Sequence, residues 1–148
     1  RSSASCYIYT IPIKMRTSYN PNHSPRVIII QKLYGNFFND DTKLTFPKHR
    51  FKKFIKDVVL GTIERDELIK EELKNHLNED LQITNLDKVF QVIIKSAIFE
   101  FLYKPKVSTK IIIKEYLDAS NFFLEDSQTK YLNAILDKIA KKIRINNA

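Results

Sequence analysis

The sequence predicts an all-α domain, and three observations predict it. Glycine occurs only twice, at Gly35 and Gly61, in 148 residues, too few for a fold built on tight β-turns. From Pro25 to Ile143, apolar residues recur at three- and four-residue steps, the spacing of a helix face. Residues suited to helix ends stand at the edges of these runs.

Taken in order, the first helix opens at Ser24 and Pro25, a cap followed by a first-turn proline. Ile30, Leu33, Tyr34 and Phe37 then follow at i, i+3, i+4 and i+7. Val27 to Ile30 have strand propensity, but the longer period outweighs it. A loop, "NDDTKLTFP", separates this from a second helix starting near Pro47. Its stripe is Phe51, Phe54, Ile55, Val58 and Val59, and it falters near Gly61. Ile69, Leu73 and Leu77 mark a third. Thr84 with Asp87 resembles a capping box and opens a helix that is apolar nearly all round, from Val89 to Leu102, and ends before Pro105. Such a helix has neighbours on several sides. A fifth starts at Ser108 or Thr109 and uses Ile112, Ile113, Tyr116 and Leu117. The last runs from about Asp126, with Asp126 or Ser127 as its cap, to Ile143. Lys138, Lys141, Lys142 and Arg144 near its end suit the helix dipole.

A chain of this length buries about 68–70% of its unfolded surface, enough for one domain with its own core. The boundaries expected are a flexible arm over 1–24 and a helical domain over 25–148. Residues 1–14 read as an extension upstream of a natural start at Met15. No apolar run reaches the ~18 residues of a membrane span, and a single cysteine, Cys6, fits a reducing cytoplasm. His23, His49 and His76 show no metal-ligand spacing, and no nucleophile or metalloprotease motif is present. The expectation is a non-enzymatic protein without metal or cofactor. A formal charge of +8 and a pI of about 9.5 favour polyanionic partners, RNA and DNA first. "PKHRFKKFIK" gathers Lys48, Arg50, Lys52, Lys53 and Lys56 at a helix start. It is either a solvated face or a supplementary RNA or polymerase surface.

Five segments, in this order, resemble the NusB family of transcription antitermination factors. "PRVIIIQKLYGNFF" matches through Arg26, Gln31, Leu33 and Tyr34, and "FIKDVVLG" through Asp57 and Gly61. "VFQVIIKSAIFEFLY" matches through Val89, Ile94, Lys95, Phe99 and Glu100, and "KIIIKEYLDAS" through Lys110, Ile113 and Glu115. "EDSQTKYLNAILDK" nearly repeats a family signature.

The resemblance implies a NusB-like bundle of about seven helices in two packed three-helix subdomains. It implies a bacterial, cytoplasmic factor that binds boxA single-stranded RNA in nascent ribosomal transcripts. Its partners would be the ribosomal small-subunit protein acting as NusE and the RNA polymerase antitermination complex. RNA-binding positions carried over are Arg16 and Arg26 around the arm, Phe123 before the last helix, and Lys130 and Tyr131 at its start. Aligning the Glu-Asp-Ser triplets adds Asp126; an ungapped match adds Ser127. Cations along phosphates and aromatic faces under bases are what single strands need. Phe90 and Gln91 fall where NusE is expected to dock. An accessory domain of an RNA cytosine methyltransferase and a protein-only interaction module are the alternatives.

Overall fold

The computed structural model describes residues 24–38, 44–76 and 86–146. Among them are six helices and no strand, against the seven helices expected: α1 (Pro25–Phe38), α2 (Lys52–Glu64), α3 (Asp66–His76), α4 (Lys88–Tyr103), α5 (Thr109–Ser120) and α6 (Asp126–Asn146). No described helix is long and apolar enough to cross a membrane.

Helix α4 packs against all five others. Every residue from Val89 to Phe101 is buried, as an all-round apolar helix requires. Its four buried polar side chains are each satisfied, as burial demands. Gln91 Nε2 donates to the Leu86 carbonyl at 2.7 Å, and Ser96 Oγ donates to Val92 and Ile93 carbonyls. Lys95 meets Asp66 of α3 at 2.9 Å. Burial alone would raise the Asp66 carboxyl, but hydrogen bonds from Lys70 and Lys95 outweigh it and hold the group below its ordinary range.

The fourth polar group, Glu100, is fully buried and takes Arg26 of α1 in a two-pronged pair. Nη2 lies 2.6 Å from Oε1 and Nε 3.2 Å from Oε2. The guanidinium also lies 4.9 Å from the Phe54 ring centre and 5.6 Å from that of Tyr116. Burial opposes its charge, and Glu100 more than offsets that, so it stays protonated. Burial and the same carboxylate hold the Tyr116 hydroxyl well above the usual phenol range.

Local readings hold where the end signals are local. Ser24 Oγ accepts from Val27 N at 3.4 Å, and Ser108 Oγ from Ile111 N at 3.3 Å. Four boundaries differ from expectation. α2 starts at Lys52, not near Pro47, because His49 turns the chain first: its Nδ1 accepts from Phe51 N and its carbonyl from Lys52 N. Nor does α2 falter at Gly61. It continues to Glu64, and the glycine is there for space, since a Cβ would stand 2.3 Å from the Phe99 ring.

Asp87 is itself the residue before α4, not the third residue inside it, and its side chain caps nothing. Thr84, like Leu77, lies outside the described residues. Neither Asp126 nor Ser127 caps α6, since both lie inside it. Glu125 holds that place. Its carbonyl accepts from Thr129 N, and Gln128 Oε1 accepts from Glu125 N at 2.9 Å, half of a capping box. At the far end of α6, Arg144 donates to the carbonyls of Phe101, Lys104, Pro105 and Val107. It thereby closes the C-terminal end of α4 as well as complementing its own helix.

Candidate nucleic-acid interface

Two helix starts converge, those of α4 and α6. Between them, against α1, lies an open groove of about 540 Å³. Tyr34, Lys88, Gln91, Phe123, Glu125 and Gln128 are among its lining residues. Helix starts present unpaired backbone N–H groups and partial positive charge. The side chains around this one are mixed, however: Asp87, Glu125 and Asp126 stand against Lys88 and Lys130. A rim of that kind offers acceptors for base amino groups and ribose hydroxyls as readily as it offers cations for phosphates.

The core stripe of α6 is Leu132, Ile135, Leu136 and Ile139, all buried. Tyr131, one step off that stripe, is 44% exposed, and Lys130 beside it is exposed too. The inner side of the Tyr131 ring rests on Phe90, with ring centres 5.6 Å apart at 43°. Its outer side faces solvent with its position fixed from below. Lys130 forms no ion pair among the described residues. Ser127 lies three residues before Lys130 and four before Tyr131, so on one helix surface all three are neighbours. Asp126 and Ser127 are both exposed at the helix start.

The fold thus gathers Asp126, Ser127, Lys130, Tyr131 and the Phe123 wall at one place. Arg26 is not among them. It pairs with Glu100, ten residues along α4 from Phe90, or about 15 Å away at 1.5 Å per residue. The resemblance implies a surface arginine, but this one is only 8% exposed and its guanidinium is held by a carboxylate. Phe123 also differs from expectation: it is 4% exposed and forms groove wall, not a free stacking face. The two residues expected at a partner surface, Phe90 and Gln91, are buried as well, the first under Tyr131 and the second bonded to Leu86. Arg16 lies outside the described residues. Sequence reasoning missed Gln128, which both caps α6 and lines the groove. Its spacing of three from Glu125 is the signal, obscured because glutamate is an unusual N-cap. No group of three or more His, Cys, Asp or Glu side chains among the described residues is placed to hold a metal.

Comparison with known proteins gives one consistent answer. The family model described as "NusB family" matches residues 23–141. The transcription antitermination protein NusB of Rickettsia bellii is 34% identical over 112 residues, covering 71% of this chain and 69% of that one. The NusB of Sinorhizobium fredii is 31% identical over 110 residues, covering 74% and 66%. In three dimensions the chain resembles T. maritima NusB with a TM-score of 0.68 at 20% identity, over 88% of this chain and 92% of that one. At that identity the likeness speaks for the fold alone.

Proposed function

The chain belongs to the NusB family, and from that premise we propose that it is a transcription antitermination factor that binds boxA-type single-stranded RNA in nascent ribosomal transcripts. One observation carries the RNA reading: an exposed tyrosine ring, backed by Phe90, beside a lysine that forms no ion pair among the described residues, on the helix whose first turn lines the groove through Gln128. A ring fixed from below and open above is a stacking face for an unpaired base. Lys130 meets a phosphate, and Asp126 or Ser127 accepts from a base edge or a ribose hydroxyl. Arg16 adds a phosphate contact from the arm. Arg26 and Phe123 act at one remove, by holding α1 against α4 and by shaping the groove.

The partner is the ribosomal small-subunit protein acting as NusE. It docks over the start of α4, where Phe90 and Gln91 set the shape of the surface without offering free side chains. The pair then delivers RNA to the RNA polymerase antitermination complex in the cytoplasm. The role is one of binding, not of catalysis.

The test is a titration of a boxA oligoribonucleotide with the protein, alone and with the NusE protein present. The expected result is modest affinity alone and at least tenfold tighter binding with the partner, since a joint surface adds contacts to one strand. Partner binding without any RNA binding, in either arm, means a protein-only module and overturns the proposal.

A further inference from the structure

A second surface stands apart from the groove. The segment 48–57 carries five cations, Lys48, Arg50, Lys52, Lys53 and Lys56, against one acid, Asp57. All five cations are exposed. None has an acidic partner among the described residues; Asp57 faces Lys104 at 3.7 Å instead. In their midst Phe51 is 46% exposed, with the Arg50 guanidinium 5.2 Å from its ring centre and the His49 ring 6.0 Å away.

This arrangement works against the fold. Cations in the first turn oppose the helix dipole, and like charges at i+3 and i+4, as in Lys52, Lys53 and Lys56, repel. α2 starts without a side-chain cap or any first-turn acid to relieve them. Its buried stripe, Ile55, Val58 and Val59, turns the other way into the core, so the lysines are not needed for packing.

We propose that the face from Lys48 to Lys56, with the Phe51 ring at its centre, is a second binding surface for single-stranded RNA. Phosphates alone account for the cations. An aromatic ring beside a guanidinium adds a platform on which an unpaired base stacks. A duplex keeps its bases stacked inside, and an acidic protein surface rarely alternates planar rings with closely and evenly spaced negative charges, as an unpaired strand does at every nucleotide. The surface is distinct from the start of α6. Lys104, at the end of α4, neighbours Asp57 and Phe54, whereas Tyr131 rests on Phe90 near the beginning of α4. Fourteen residues of helix place the two ends about 20 Å apart. The proposal requires neither boxA recognition nor an antitermination role.

The experiment is fluorescence anisotropy of a labelled oligouridylate of about a dozen nucleotides, with a duplex of equal length as the competitor, across a salt series. Three variants of the full chain are compared with the parent: Lys52→Ala/Lys53→Ala/Lys56→Ala, Phe51→Ala, and Lys130→Ala/Tyr131→Ala. All the substituted side chains are exposed, so the folds should survive, as circular dichroism verifies. If each lysine neutralises one phosphate, the triple variant flattens the log–log salt dependence by about 2 and weakens binding about 100-fold near 0.1 M salt. Phe51→Ala lowers affinity about tenfold with the slope unchanged. An unaltered slope in the triple variant, or a duplex that competes as well as the single strand, overturns the proposal. Should only Lys130→Ala/Tyr131→Ala weaken binding, this surface is refuted and the α6 reading stands. Loss confined to the α2 variants supports this surface and leaves the α6 reading to the boxA titration.

Discussion

Glu100→Ala is expected to destabilise the fold by about 3–5 kcal/mol, a large share of what holds a domain of this size together. The cost does not come from losing an attraction worth that much. It comes from stranding the Arg26 guanidinium, which at 8% exposure has no water to return to and cannot shed its proton. Phe54 and Tyr116 lie against the cation, but ring faces replace only part of what a carboxylate supplies. The melting temperature should fall on the order of 10 °C. Exchanging both partners, as in Arg26→Met/Glu100→Leu, should restore most of the loss, because no buried charge is then unpaired. Thermal and urea melts of the two variants beside the parent check this. Equal losses in the single and double variants would mean that the pair is not the origin of the effect.

Gly61→Ala should also destabilise, against the usual trend for helix interiors. Replacing an interior helical glycine normally gains about 1 kcal/mol from backbone entropy. Here the backbone is ordinary helix with no positive φ, so conformational freedom is not the reason for glycine. Space is the reason. The new Cβ would fall 2.3 Å from two atoms of the Phe99 ring, and that ring is buried with Tyr103 against it at 5.0 Å. Forcing α2 and α4 apart should cost about 1–3 kcal/mol net. In a Phe99→Ala background the clash is gone and the same substitution should become neutral or stabilising. A double-mutant cycle by urea denaturation reads the coupling directly. Additive effects would refute the contact.

Both predictions concern residues at which the chain resembles its family, and this bears on what the sequence disclosed. Arg26 with Glu100, and Gly61 with Phe99, are matched positions that meet in space. Their meeting is invisible in the sequence because 74 residues separate the first pair and 38 the second. Arg26 was therefore legible as special but open to misreading as an RNA contact. Local chemistry was easier. The caps at Ser24 and Ser108 and the all-round burial of α4 follow from neighbours in sequence. Pro47 misled because a proline suits a first helical turn, yet the His49 ring had already claimed the next amide. Tyr131 was legible for a geometric reason: it sits one residue outside a stripe whose members are all buried. Phe123 was not, since an apolar residue just after a helix reads equally as wall or as platform.

RNA binding at the start of α6 turns on a tyrosine and a lysine that touch the strand instead of completing the core. The salt dependence of boxA binding by Lys130→Ala and by Tyr131→Ala tests it most directly. For Lys130→Ala the log–log slope should become shallower by about 0.7, the share of one phosphate on a single strand. For Tyr131→Ala the slope should hold while affinity drops about 5- to 100-fold, the worth of one stacked base. Melting temperatures should move little in either, since both side chains are exposed. The contradictory result is affinity and slope unchanged in both variants.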